Sequence, residues 1–254
     1  MIKKTTKNPE KEWFGERSVD ADEKTKLVQG VFDSVASKYD VMNDVMSGGV
    51  HRLWKDHLIR RIRPRAGLHY LDVAGGTGDI SFRIRKKAGK DARITLCDLD
   101  EQMLRVGRDR SIDKGMMNDF DWITGNAESL PIPDKSVDVY TIAFGLRNVT
   151  HIDTALAEAV RVLKPGGRFY CLEFSHVTDP YFADIYDKYS YALIPKMGEI
   201  IAKDRDSYQY LVESIRKFPK QKDLVTRMEH AGFIRANYTN LSYGLVAIHE
   251  GLVL

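Results

Sequence analysis

The sequence predicts an α/β fold: a seven-stranded, mostly parallel sheet ending in an antiparallel hairpin, with helices ahead of it and a helical insertion before its last two strands. Three observations predict it. From residue 68 onward, short β-rich runs alternate with helical stretches, a pattern that requires a parallel sheet covered on both faces. A glycine turn, Gly75-Gly76-Thr77-Gly78, joins the first such strand to the first such helix. The last two strands are too close in sequence for a crossover and must pair antiparallel. With 254 residues, 43% of them hydrophobic, the chain can bury the core of one large domain.

The elements follow in order. Residues 1 to about 24 carry many charges and no apolar period, and are expected to form a loose arm. Everything from 25 to 254 is expected to be one domain: N-terminal helices over 25–64, a core over 67–175, a helical insertion over 176–218, and a closing helix and hairpin over 219–254. In Val50–Ile62, Val50, Leu53, Trp54, Leu58 and Ile62 share one half of the helical wheel, and Arg52, Lys55, Asp56, Arg60 and Arg63 share the other. This predicts an amphipathic helix with a basic face, interrupted only by Arg61 on the apolar side and stopped by Pro64. Strands are predicted at His69–Ala74, Arg93–Asp98, Phe120–Thr124, Val137–Phe144 and Gly167–Phe174, with helices at Gly78–Ala88, Asp100–Lys114 and Asp153–Leu163 between them. The insertion, rich in Tyr, Ile and Leu, is followed by a helix at Asp223–Ala231 and by strands at Phe233–Asn240 and Leu245–Gly251.

Composition excludes several classes. Lys and Arg number 39 against 36 Asp and Glu, a net +3 that is too near balance for a chain coating nucleic acid. Cys97 and Cys171 have no metal-ligand spacing, nor do the seven histidines, so neither a disulfide framework nor a metal site is expected. The polar opening residues lack the apolar core of a signal peptide, and no apolar run is long enough to cross a bilayer. The expectation is a cytoplasmic protein.

The chemistry concentrates in Leu71-Asp72-Val73-Ala74-Gly75-Gly76-Thr77-Gly78-Asp79, a strand running into a glycine turn that opens a helix. Glycines there let the backbone approach a ligand and present N–H groups at a helix start. Asp98 ends the next strand, twenty residues beyond Gly78, where a carboxylate can accept both ribose hydroxyls of a nucleoside-type cofactor. Dinucleotide dehydrogenases and enzymes using S-adenosylmethionine share these features. The spacing here is G-G-x-G rather than G-x-G-x-x-G, and Asp72 precedes it; a carboxylate suits an ammonium or sulfonium and suits a pyrophosphate poorly.

Asp72–Asp79, Gly125-Asn126-Ala127-Glu128-Ser129-Leu130-Pro131 and Leu163-Lys164-Pro165-Gly166-Gly167 resemble the successive motifs of the class I S-adenosylmethionine-dependent methyltransferases. Phe32–Asp44, with its Tyr39-Asp40-Val41-Met42-Asn43-Asp44 stretch, Phe144-Gly145-Leu146-Arg147-Asn148-Val149 and Asp206–Leu211 resemble, more narrowly, the ubiquinone/menaquinone biosynthesis C-methyltransferase family over about 27–254. The resemblance implies a Rossmann-like fold and S-adenosyl-L-methionine as cofactor. It places the amino-acid end of the cofactor at Asp72, Gly75, Gly76, Thr77 and Gly78, the ribose at Asp98, and the adenine at Asn126 and Ala127. Ala143 stands where relatives commonly have Ser, so a contact there must use the backbone.

The implied reaction is methylation of a ring carbon of a prenylated benzoquinol or naphthoquinol, the resemblance serving both pathways. It puts Arg147 and Asn148 near the reacting hydroxyl, with Tyr39 from the N-terminal helices. Arg147 stays protonated and suits stabilising a developing phenolate or acting through an ordered water; its other reading is a structural ion-pair partner. Tyr186, Tyr189, Tyr191, Tyr208 and Tyr210 are candidates for a lid or prenyl channel, or for core. The isoprenoid tail implies contact with the inner membrane face, for which the basic helix or the arm is the candidate. A homodimer or a quinone-synthesis assembly is the expected partner state. A nucleic-acid acceptor is disfavoured, because Phe144-Gly145-Leu146-Arg147 replaces the Asn/Asp-Pro-Pro-aromatic run of amino-methylating relatives. A non-catalytic scaffold would have lost the glycine turn, which is present.

Overall fold

A computed structural model describes residues 11–14, 17–20, 23, 24, 26–28, 30, 44, 47–179 and 205–254. After a hairpin of β1 (Lys11–Phe14) and β2 (Arg17–Asp20) come α1 (His51–Ile62), β3 (His69–Val73), α2 (Asp79–Ala88), β4 (Arg93–Asp98), α3 (Glu101–Asp113), β5 (Asp121–Thr124) and β6 (Val137–Ala143). A short 3₁₀ turn, Leu146–Asn148, leads to α4 (Ile152–Val162), β7 (Leu163–Phe174), α5 (Arg205–Lys217), α6 (Gln221–Ala231), β8 (Ile234–Leu241) and β9 (Val246–Leu252). The main sheet has seven strands in the order β5-β4-β3-β6-β7-β9-β8. The first five run parallel, and β9 pairs antiparallel with both β7 and β8, as the closing hairpin predicts.

Alternation along each strand divides the core between the two faces of the sheet. Tyr70, Ile94, Leu96, Val139 and Leu172 point to one face, where Leu58 of α1, Ile84 of α2 and Val212 of α5 cover them. Leu71, Val73, Cys97, Ile142 and Cys171 point to the other, under Ala159 of α4 and Met228 of α6. Both cysteines are buried, free thiols.

Three expectations change. Part of the stretch read as a loose arm is a hairpin, with Glu12 opposite Val19; so short a ladder takes its hydrogen bonds from its own backbone and needs no apolar period. The apolar and basic halves of the α1 wheel do not coincide with core and solvent. Lys55 is buried and paired with Asp79, whereas Leu53, on the apolar half of the wheel, is 63% exposed. Arg61, the misfit on the apolar half, lies against the sheet through a two-pronged ion pair with Glu250 of β9, Nε to Oε2 at 2.8 Å and Nη2 to Oε1 at 2.7 Å. Finally, β7 begins at Leu163 rather than Gly167, because Leu163 already pairs with Val137 before the register shifts ahead of Arg168. Of the insertion, α5 is described; Tyr208 and Tyr210 on it are buried, and Tyr186, Tyr189 and Tyr191 lie outside the described residues.

Candidate active site

The carboxyl ends of β3, β4 and β6 open into a cavity of about 1120 Å³ including its mouth. This is the crevice in which open α/β sheets bind ligands. Two strand exits shape it. Ala74 after β3 and Phe144 after β6 both have left-handed backbones, with φ of 50° and 57°. Non-glycine residues seldom adopt that conformation unless their surroundings impose it. Each is followed by glycine, and the two turns touch: a methyl group built on Gly145 would run into Cβ of Ala74.

The glycine turn is a close-approach cradle. Gly76 has φ of 51° and Gly78, the residue capping α2, has φ of 85°; Gly78 N–H donates to the Gly75 carbonyl at 2.8 Å. A Cβ on Gly75 would lie 3.0 Å from the Asp72 carbonyl, and one on Gly76 3.1 Å from Met103. Beneath the turn, Asp72 is 1% exposed and accepts from Ser81 at 2.8 Å and Thr141 at 2.9 Å. Half-buried Asp98 accepts from Gly76 N–H at 2.7 Å and Asp100 N–H at 2.9 Å, binding the two loops together.

Most of the residues the sequence assigned to the cofactor line this cavity: Asp72, Gly75, Gly76, Thr77, Asp98, Asn126, Ala127 and Ala143. Gly78 is set back as the helix cap. Thr77 is buried, and its hydroxyl accepts from Arg110 at 2.9 Å. Asn126 turns its side-chain oxygen to Glu128 N–H at 2.9 Å, which shapes the Gly125–Leu130 loop. A cradle closed to any Cβ, a buried carboxylate beneath it and a second carboxylate on the next strand fit the amino-acid end and ribose of S-adenosylmethionine.

Of the groups placed near the acceptor, Asn148 lines the cavity and Arg147 does not. Arg147 is buried, its Nη1 donating to Glu173 Oε1 at 2.8 Å and to the Phe144 carbonyl at 2.5 Å. The Arg147 guanidinium also lies 5.6 Å from the Phe174 ring centre. Asn148 Oδ1 accepts from Tyr210 of α5 at 3.1 Å. Tyr39 lies outside the described residues.

Three contributors escaped the sequence reading. Lys55 reaches the cavity from α1 and donates to Asp79 at 2.8 Å; against the upward push of burial, Lys55 and Arg83 hold the Asp79 carboxyl below its ordinary value. Glu173 of β7, 1% exposed, is the counter-charge of Arg147; burial pushes its carboxyl up and Arg147 pulls it down, the net direction being up. Val28 joins the lining, and the Lys24 ammonium donates to the carbonyl of Val149, another lining residue, at 3.2 Å. Asp79 was in sight within the glycine motif, but nothing local marks Lys55 or Glu173 as its neighbours' partners.

Burial pushes the Asp72 carboxyl from 3.8 up to about 6, opposed by the Ser81 and Thr141 hydroxyls; Asp98 likewise rises to about 6, opposed by the Asp100 and Gly76 N–H groups. Between about pH 4 and 6 the folded chain therefore holds protons that the unfolded chain has lost, and these two groups lower stability as pH rises through that window. A cationic ligand favours both ionised forms. Binding of S-adenosylmethionine is therefore expected to release protons near pH 6 and to tighten as pH rises from 5 to 7. Calorimetric titration in buffers of different ionisation enthalpy measures both, and an affinity flat across that range would contradict this origin.

Comparison with known proteins gives the same picture over most of the chain. A family model described as the ubiE/COQ5 methyltransferase family matches residues 19–253. The "Ubiquinone/menaquinone biosynthesis C-methyltransferase UbiE" of Brucella abortus (strain S19) is 54% identical over 240 residues, covering 94% of this chain and 89% of the relative. The protein of the same description from Brucella anthropi is 55% identical over 240 residues, covering 94% and 91%. The crystal structure of a SAM-dependent methyltransferase from Aquifex aeolicus superimposes with a TM-score of 0.58 at 14% identity, covering 93% of this chain and all of that one, which shows the fold. With a family model matching residues 19–253 and relatives 54–55% identical over 94% of its length, the chain belongs to the ubiE/COQ5 methyltransferase family.

Proposed function

We propose that the chain is an S-adenosylmethionine-dependent C-methyltransferase acting on a prenylated quinol ring in ubiquinone or menaquinone biosynthesis. The reactions are 2-polyprenyl-6-methoxy-1,4-benzoquinol to its 3-methyl product and demethylmenaquinol to menaquinol. The observation that carries this reading is the turn after β6, which sets Asn148 in the wall of the cofactor cavity, next in sequence to Arg147 and its buried ion pair with Glu173. When bound, S-adenosylmethionine supplies a methyl group on a sulfonium.

A quinol carbon becomes nucleophilic as the neighbouring hydroxyl loses its proton and the oxygen pushes charge onto the ortho carbon. The chain's task is to hold that oxygen, stabilise its charge and exclude water. Asn148 has its oxygen occupied by Tyr210 and is left with Nδ2–H donors for the acceptor oxygen. Arg147, paired with Glu173 and donating to the Phe144 carbonyl, fixes the turn that carries Asn148 and acts by position. Tyr39 belongs, on the family resemblance, to the acceptor side of the same site. Lys24, bonded to the Val149 carbonyl, and Val28 in the lining are the described N-terminal residues that meet the cavity. Among the described residues no helix is long and apolar enough to cross a membrane; the prenyl tail is met at a membrane surface, with the ring brought into the cavity.

Mass spectrometry of the product from purified protein, deuterated-methyl S-adenosylmethionine and short-tailed demethylated quinones tests this. Each ring type is supplied reduced and oxidised. Label on a ring carbon of the reduced substrates alone is the expected result and identifies the pathway served. Absence of label on either ring in either state, with cofactor bound, would overturn the assignment of the acceptor.

A further inference from the structure

A second depression lies apart from the cofactor cavity, between α1 and the strands β7, β9 and β8. The two share no lining residue. Along β7, Arg168 in this cleft is four residues before Leu172, the partner of Ala143 in the cavity, a separation of about 13 Å along the strand.

Its walls carry Arg60, Arg61 and Arg63 from α1 and its cap, Arg168 from β7 and Arg235 from β8, against one carboxylate, Glu250 of β9. Five arginines against one glutamate give the cleft a formal +4, more than the +3 of the whole chain, so the rest of the molecule is slightly acidic. The one carboxylate is already spanned by Arg61, whose guanidinium holds the Glu250 carboxyl below its ordinary value. Arg63, Arg168 and Arg235 make no ion pair among the described residues, and Arg60 Nη2 lies 3.1 Å from His57 Nδ1.

The backbone is bent to bring these charges together. Arg63 and Arg235 both sit in the left-handed region at φ of 52°. Arg235 also falls where the register of β8 against β9 shifts, between Ile234 and Asn237, a device that re-aims a side chain. Like charges so gathered repel, and an anion in the cleft removes that cost. The forks of arginine match the geminal oxygens of phosphate. Buried Tyr170 and the aliphatic Leu252 supply an apolar wall beside them, and Asn237 an uncharged hydrogen-bonding amide.

We propose that this cleft is a binding site for a phosphate-bearing anion, separate from the methyl-transfer site. Two sources offer that chemistry, a phospholipid headgroup at a membrane and a free phosphate ester. The site itself stands whichever source fills it and whichever acceptor is methylated.

The test uses the full chain and a variant carrying Arg168→Gln and Arg235→Asn, both exposed positions outside the cofactor cavity, the second able to keep a left-handed backbone. Thermal unfolding and calorimetry are run with inorganic pyrophosphate against sodium chloride at equal ionic strength. Co-sedimentation is run with phosphatidylcholine vesicles with and without phosphatidylglycerol. The wild type is expected to be stabilised by pyrophosphate beyond the chloride control, and the variant to bind about tenfold more weakly, as loss of charged hydrogen bonds implies. Its affinity for S-adenosylmethionine is expected to be unchanged. Retention by the anionic vesicles, lost in the variant, identifies a lipid headgroup as the source; pyrophosphate binding without retention identifies a free ester. Neither binding, or binding that the variant keeps undiminished, overturns the site.

Discussion

Replacing Glu173 by leucine is expected to destabilise the protein by about 3–5 kcal/mol, because it strands a cation in the core. The pair it breaks is among the most buried in the described molecule, with the Arg147 and Glu173 side chains 3% and 1% exposed. Glu173 also accepts from the backbone N–H of Arg147 at 3.3 Å and of Phe174 at 2.8 Å, so it ties the turn after β6 to the end of β7. Domains are stable by only about 5–15 kcal/mol, and the loss is therefore large. Combining Glu173→Leu with Arg147→Met should restore a good part of the stability, since uncharged groups of similar volume replace a buried ion pair at little cost. Turnover should not return with it. If stability returns and rate does not, the Arg147–Glu173 pair positions the site as well as holding the fold. Denaturant unfolding of the three variants, with turnover measured on the folded fraction, decides. A single variant as stable as wild type, or a double variant with normal turnover, would contradict the role.

The second large effect is expected from one methyl group. Gly145 has an ordinary backbone, φ of −118°, so alanine there carries no conformational penalty of its own. Its Cβ would meet that of Ala74, on the turn that opens the cofactor cradle, and would also lie 3.5 Å from Ile142. Either the turn after β3 or the turn after β6 must move. Overpacking of this kind costs about 1–3 kcal/mol. Because Ala74 and Phe144 are both held left-handed, the displacement falls on the cradle rather than on a pliable loop. Gly145→Ala is expected to weaken S-adenosylmethionine binding by at least about tenfold. Calorimetric affinity alongside melting temperature checks it, and tight binding by a well-folded variant would show that the two turns can separate freely.

The features legible from local sequence are those encoded over a few neighbouring residues. The seven strands of the sheet were legible because buried strands repeat every two residues and helices every three or four. The cradle was legible because only glycine allows both the left-handed turn at Gly76 and Gly78 and the close backbone approach. Asp98 was legible from its distance beyond that turn, and Asn148 from its motif. The tertiary structure alone decided which charges meet. Nothing within a turn of helix links Lys55 to Asp79, 24 residues on, or Arg147 to Glu173, 26 residues on. The helical wheel sets Lys55 on the basic half and Leu53 on the apolar half, and the fold buries the first and exposes the second. The basic cleft draws on α1 and on β7, β8 and β9, strands that begin more than a hundred residues after α1 ends and that only the sheet order sets beside it. Periodicity records which face of an element is apolar, a local property. The partner of a buried charge depends on sheet order and on how helices cross the sheet, and that information is spread over the whole chain.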